Sequence, residues 1–397
     1  MLVAEAYGII GDVLAPLPVG DFFDKIVGQQ FIKVAAQPIN YRTTLLGPNP
    51  EDCLLSAFAA VAPKITSHAA APMVPPPRSE SVASKEAFRS KIEAFHTGGY
   101  TVRIPDLRSL SPGLDAFMRA LEIVLHQPVE AAAFWSRGDA AAPLHHDDQD
   151  IVVIQLQGRK RWHISSGRSP LPNVWKSRPS ESYELQSYTE VEVGPGDLLY
   201  LPRGTAHRVD ALSDSLHLSI GFVPLTLREA VIATLDHLSD LDRPWREGVS
   251  KHLALDIRRN EFNDLPTKVR AALGQMAHLA EDDGFIAQAL QRRSSRVIGD
   301  LNKMAPSTFR PPLNATTLLR HATLATCHLS ADDDRLDVSY PGGHIYVHRA
   351  VEQSVLFIVH TSQFRIQDIP GVLTDEVREA LVAKFVDSGF LHVVLES

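Results

Sequence analysis

Two stretches of this 397-residue chain carry side chains of the types that hold a metal ion. In PLHHDDQDIVVIQLQGRKRWHI, His145 and Asp147 stand two positions apart. Residues i and i+2 of an extended segment point to the same side, so these two project together while His146 points away. A third ligand must come from a neighbouring strand. GPGDLLYLPRGTAHRVD offers His207, at the end of a G-x5-P-x-G-x2-H pattern that runs from Gly196 through Pro202 and Gly204. Two imidazoles and one carboxylate on one face leave the opposite face open, the geometry with which a ferrous ion can take up reactants. His146 and Asp148 repeat the spacing one residue along, but period two turns them to the other face, so only one register serves a shared cavity. The competing reading puts His145 on a solvated acidic loop and His207 in a plain turn. The glycine-proline-glycine-histidine spacing between strand-like runs argues against it.

The elements that must position these residues are short and β-prone: 151–157, 159–164, 188–193, 197–202, 207–212 and 216–222. Turn residues such as Gly158 and Pro195-Gly196 separate them, which predicts an antiparallel sandwich or barrel. Before them, Leu114, Phe117, Leu121 and Val124 fall on one helical face, with Ser111 and Pro112 as the start signal. Ala69 to Ser81 is proline-rich and reads as an extended spacer or surface loop. After Pro224 the pattern turns helical, and Val269, Leu273, Met276 and Ala280 form a stripe that must bury against something. PSTFRPPLN at 306–314 marks a boundary. Beyond it, RLDVSY, GGHIYVHR and SVLFIVH read as strands, TDEVREALVAKFVDSG as a helix closing on Gly389, and FLHVVL follows, which suggests a small α+β or winged-helix module.

Composition narrows the function classes. Lys plus Arg is 39 against 47 Asp plus Glu, a net charge of −8, so nothing draws the whole chain toward nucleic acid or an anionic membrane. The 44% apolar share supplies core for two or three domains at about 150 residues each. Two cysteines, Cys53 and Cys327, make no disulfide framework or thiolate zinc knuckle, in keeping with a reducing compartment. The start MLVAEAYGII does not read as a secretory signal, and no stretch approaches the roughly 18 apolar residues of a membrane span. The expectation is a soluble cytoplasmic protein.

HHDDQDIVVIQLQGRKRW and GDLLYLPRGTAHRV together resemble the JmjC-type cupins, in particular the ribosomal oxygenase branch. That pattern runs His-x-Asp, a basic turn ending in tryptophan, then proline-arginine-glycine and the distal histidine. The resemblance covers roughly residues 95–223 specifically. It implies a mostly β double-stranded β-helix (cupin/JmjC jelly roll) over residues 1–224, a helical dimerisation region over 225–305 and a C-terminal α+β winged-helix-like domain over 306–397. It implies Fe(II) on His145, Asp147 and His207, and 2-oxoglutarate as co-substrate with its far carboxylate on a basic residue. Lys160 is the candidate: it shares a strand face with Trp162 and Ile164, while Arg159 and Arg161 share the other, and a buried carboxylate needs a cation. The alternative is a solvated RKR hairpin. Ser136 stands where related bacterial enzymes supply a hydroxyl, although AAAFWSRG departs from their more polar run. The activity implied is hydroxylation of a protein side chain by O2, a ribosomal protein being the family-suggested partner.

Other readings stay open. The same chemistry on a small molecule or unrelated peptide comes next; N-methyl-lysine demethylation ranks lower, because no aromatic cage is visible; a silent cupin binding module is the non-enzymatic alternative. His217 is expected to be a satisfied core histidine, with a supporting or substrate-mouth role as the alternative. His344 and His348 stand about 13 Å apart along one strand, too far to share an ion easily. Asp332, Asp333 and Asp334 lack the glycine and glutamate of a calcium loop. The net-acidic C-terminal helix is a poor DNA reader, and the helical middle suits a homodimer or an intramolecular bundle equally.

Overall fold

The computed structural model describes residues 2–38, 41–72, 74–171, 185, 187–249, 258, 264–301, 311–331 and 333–394. Met73 of the proline-rich stretch, residues 306–310 of the expected boundary and Asp332 lie outside the described residues. The chain divides into two compact units, Met1–Pro224 and Leu225–Ser397.

The first unit contains strands β1 (Ile32–Val34), β2 (Thr66–His68), β3 (Thr101–Ile104), β4 (Val129–Ser136), β5 (Ala141–His145), β6 (Asp150–Gln157), β7 (Lys160–Ser165), β8 (Tyr188–Val193), β9 (Leu198–Leu201), β10 (His207–Ala211) and β11 (Ser215–Phe222). Among the described residues they form two antiparallel sheets, ordered β1-β9-β6-β11-β4-β3-β2 and β5-β10-β7-β8. Strands β4 to β11 pass back and forth between the sheets, which makes this an eight-stranded double-stranded β-helix. Strands β1, β2 and β3 extend the larger sheet at both edges. Alternation explains the interior: Ala142, Val153, Trp162, Ile164, Leu199 and Val209, from both sheets, pack together as one apolar layer. The outward face of β7 carries Arg161, paired with Glu192 at 2.6 Å.

The turn from β6 to β7 requires glycine. Gly158 has φ +65°, and a Cβ there would lie 1.9 Å from the carbonyl oxygen of Asp214, so both backbone conformation and space exclude a side chain. The helix Pro112–Leu125 starts after Ser111 as the sequence predicts and packs against β4 and the helix Leu2–Leu14.

In the second unit, the helix Leu227–Leu241 begins with a capping box of Thr226 and Glu229. The helix Asp283–Asp300 packs on it, with Arg296 reaching Asp240 at 2.8 Å. The helix Leu265–Leu279 contains the expected apolar stripe, yet it has no buried residue, and Val269 and Leu273 are 46% and 54% exposed. Strands β12 (Leu318–His321), β13 (His328–Ala331), β14 (Arg335–Tyr340), β15 (Gly343–His348), β16 (Gln363–Arg365) and β17 (Leu391–Val393) form the sheets β16-β12-β17 and β13-β14-β15. SVLFIVH is helical, within Glu352–His360, where the sequence suggests a strand. A short continuous apolar run does not distinguish a strand from a buried helix by period; here Val355 and Ile358, three apart, both enter the core beside Leu319, Val382 and Phe385. No single described helix is long and apolar enough to cross a membrane.

Candidate metal centre

His145 closes β5 and His207 opens β10, and the antiparallel register sets them directly opposite each other. Their ring centroids are 4.4 Å apart. Asp147 follows two residues beyond β5, and its Oδ2 lies 3.8 Å from Nε2 of His207. One ligand atom from each of the three falls within 4.8 Å of the others, the one such cluster of three among the described residues. Local hydrogen bonds fix both tautomers. His145 Nδ1 donates to the Pro143 carbonyl at 2.8 Å and His207 Nδ1 to the Thr205 carbonyl at 2.9 Å. A carbonyl only accepts, so each Nδ1 carries the proton and each Nε2 keeps its lone pair for a metal. Burial holds His207 below the usual imidazole range, which favours the neutral, ligating form.

The turn after β9 holds this geometry. Gly204 adopts φ +79° and donates its N–H to the Asp147 carbonyl at 2.7 Å. Asp150 is fully buried and accepts from the Tyr200 hydroxyl at 2.6 Å and from the Arg203 amide at 3.1 Å. The Tyr200 oxygen in turn accepts from the Gly28 amide at 2.7 Å. The strand carrying Tyr200 and the turn leading to His207 are therefore tied to the segment that carries Asp147.

A cavity between the two sheets opens onto the three ligands, and His68, Phe134, Lys160, Trp162 and His217 line it. Lys160 is 2% exposed, and its Nζ donates to Ser136 Oγ at 2.8 Å; Ser136 shares a further hydrogen bond of 2.9 Å with Thr101. Burial pushes the Lys160 ammonium down to about 7, and among the described residues no carboxylate offsets it. A buried cation without a counter-charge is a site prepared for an anion.

Sequence reasoning missed His68 and Thr101. They lie on the edge strand β2 and its neighbour β3, far from either motif, and their three- and four-residue length leaves no periodic signal. His68 is pushed down to about 4, chiefly by burial. His217 differs from the expected satisfied core residue: it is buried and stacks on Phe134 at 5.0 Å, but its Nδ1 has no hydrogen-bond partner. His344 instead contacts Asp337 at 3.1 Å, apart from His348, whose Nδ1 accepts from the Ala350 amide.

Residues 113–230, which include all three ligands and Lys160, match the JmjC domain family. The chain carries a JmjC domain. It is similar to ribosomal oxygenase 2 of Rattus norvegicus, 37% identical over 86 residues (21% of this chain, 18% of that protein), and to ribosomal oxygenase 1 of the same organism, 25% identical over 303 residues (70% and 49%). The chain thus spans about half the length, or less, of these curated relatives. The fold is similar along nearly the whole chain to YcfD, a ribosomal oxygenase from Escherichia coli in complex with cobalt and 2-oxoglutarate, with TM-score 0.52, 17% identity and coverage of 95% and 98%. The JmjC domain is related to those of the ribosomal oxygenases, on a cupin-type β-sheet fold.

Proposed function

We propose that the chain is an Fe(II)- and 2-oxoglutarate-dependent oxygenase that hydroxylates a protein side chain, with ribosomal proteins as the substrate class. The observation that carries this reading is the pairing, in one cavity, of a two-histidine, one-carboxylate cluster with a buried lysine that lacks a counter-charge. The donors fit a ferrous ion: two imidazoles whose Nδ1 hydrogen bonds to backbone carbonyls leave Nε2 for the metal, and one carboxylate, placed so that the remaining positions stay open.

His145, Asp147 and His207 would hold Fe(II). Lys160, steadied by Ser136, would take the far carboxylate of 2-oxoglutarate and so orient its keto-acid end toward the ligands. Trp162, Phe134 and Val209 line the space between and exclude water. Bound there, iron supplies the oxidising chemistry, coupling decarboxylation of 2-oxoglutarate to succinate with insertion of one oxygen atom of O2 into a C–H bond. Similarity to proteins named ribosomal oxygenases supports the substrate class.

The finer organisation belongs to the same proposal. Residues 225–305 act as a homodimerisation region, supported by the exposed apolar residues of Leu265–Leu279. Residues 306–397 are a winged-helix-like domain that shapes a protein-binding surface; its final long helix is net acidic and reads no DNA. The two cysteines are unpaired, in keeping with a reducing cytoplasm.

The test is succinate release from 2-oxoglutarate with Fe(II), ascorbate and ribosomal proteins, paired with mass spectrometry of those proteins. Wild type is expected to release succinate and add one oxygen atom to a ribosomal protein, and His145→Ala to do neither. Equal succinate release by both proteins, or none from iron-loaded wild type with any ribosomal protein, overturns the proposal.

A further inference from the structure

His217 is a buried histidine in the cavity that the proposed reaction leaves unused. It is 4% exposed, on β11, directly opposite Phe134 of β4 in the antiparallel register. Its ring lies nearly parallel to the Phe134 ring, at 17° and 5.0 Å. The Phe134 carbonyl also accepts a long hydrogen bond from Lys160 Nζ at 3.4 Å. One residue of β4 therefore places His217 and the lysine ammonium at the same end of the cavity. Nδ1 of His217 is sealed from solvent and has no partner, so a ligand entering the cavity meets the ring at its Nε2 edge. A neutral imidazole carries one proton, and on Nε2 that proton is offered to an anion bound at the cavity edge of the ring, while the sealed Nδ1 stays the bare acceptor.

We propose that His217 is a binding residue for the far carboxylate of the co-substrate, donating a ring N–H to the same anion that Lys160 attracts. This inference rests on the 2-oxoglutarate reading above. Burial, with Lys160 as the next influence, holds the imidazole well below its ordinary range, so the ring stays neutral and adds direction to the site without a second positive charge. A carboxylate with two donors on different strands is fixed in orientation, where a single ammonium leaves it free to swivel.

The groups facing His217 allow a selective test. His217→Phe keeps a ring to stack on Phe134 and removes both nitrogens; His217→Gln keeps an N–H donor. Binding of 2-oxoglutarate and of oxalate to the Mn(II)-loaded full chain is measured calorimetrically without oxygen. Oxalate chelates the metal but has no far carboxylate. Affinity for 2-oxoglutarate is expected to fall roughly tenfold or more in His217→Phe, by the strength of a hydrogen bond to a charged group, to recover largely in His217→Gln, and affinity for oxalate to stay unchanged in both. A folded His217→Phe that binds 2-oxoglutarate as wild type does, or that loses both ligands equally, overturns the inference; if that variant does not fold, a His217→Gln that binds 2-oxoglutarate at least tenfold more weakly does so instead. Wild type that binds oxalate but not 2-oxoglutarate overturns the co-substrate reading itself, a different result from either.

Discussion

The Lys160 ammonium on β7 donates to the Ser136 hydroxyl on β4 at 2.8 Å, so one hydrogen bond ties the two sheets across the floor of the cavity. Both groups are almost fully buried. A hydroxyl does not neutralise a charge, so in the ligand-free protein this lysine opposes folding. Lys160→Met is therefore expected to raise stability at neutral pH by about 1–4 kcal/mol while 2-oxoglutarate binding falls at least roughly a hundredfold. Urea unfolding and calorimetric binding, run on the same preparations, check both halves. A variant that is less stable than wild type shows that Ser136 and the Phe134 carbonyl satisfy the ammonium.

The same lysine sets a pH dependence with a defined sign. Its folded-state value is lowered from 10.5 to about 7. Below pH 7 both folded and unfolded chains hold the proton, and the penalty of the buried charge is complete. Between about 7 and 10.5 the unfolded chain binds more protons, so stability rises with pH across that window. Co-substrate binding needs the ammonium, so affinity for 2-oxoglutarate falls as pH rises above about 7. Unfolding curves at pH 7 and 9, with titrations of 2-oxoglutarate at the same values, should show the two trends in opposite directions; parallel trends sink the assignment.

Asp150 reaches the metal ligands through the backbone. It receives the Tyr200 hydroxyl and the Arg203 amide, and the next residue, Gly204, holds the carbonyl of Asp147. Asp150→Ala strands buried donors and is expected to destabilise the chain by about 3–5 kcal/mol, with Mn(II) affinity lowered roughly tenfold. Tyr200→Phe removes two hydrogen bonds, the one donated to Asp150 and the one accepted from the Gly28 amide, and should cost about 1–3 kcal/mol. Unchanged metal affinity in a folded Asp150→Ala separates the turn from the site.

These relationships mark how far the sequence alone reaches. His145, Asp147 and His207 are legible because a strand's period of two and a glycine-proline turn impose spacing on ligands. The inward direction of Lys160 follows from the same period, since Trp162 and Ile164 travel with it. Thr101 and His68 are not legible, because they enter the cavity from β3 and the edge strand β2, whose pairings with β4 and with β3 are long-range and leave no local pattern. His217 is visible as a buried histidine; that its ring nitrogen lacks a partner depends on what faces it across β4 and β6. SVLFIVH shows the opposite failure, an apolar run whose helix is set by the core that Val355 and Ile358 enter.

The helix Leu265–Leu279 poses the same question from outside. Its stripe reads as a surface that must bury, yet Val269 and Leu273 remain about half exposed in the single chain. Covering the exposed half of each such side chain stabilises an association by about 0.7–1.5 kcal/mol, half the value for complete burial, and a two-fold interface uses each position twice. Wild type is therefore expected to sediment as a dimer, and Val269→Lys with Leu273→Lys to weaken that dimer at least roughly a hundredfold. The metal ligands and Lys160 all lie within Met1–Pro224, so 2-oxoglutarate binding should persist in the double variant. A wild-type chain that sediments as a monomer at all accessible concentrations sinks the homodimer. Loss of co-substrate binding in a folded, monomeric variant instead makes assembly a condition of the site.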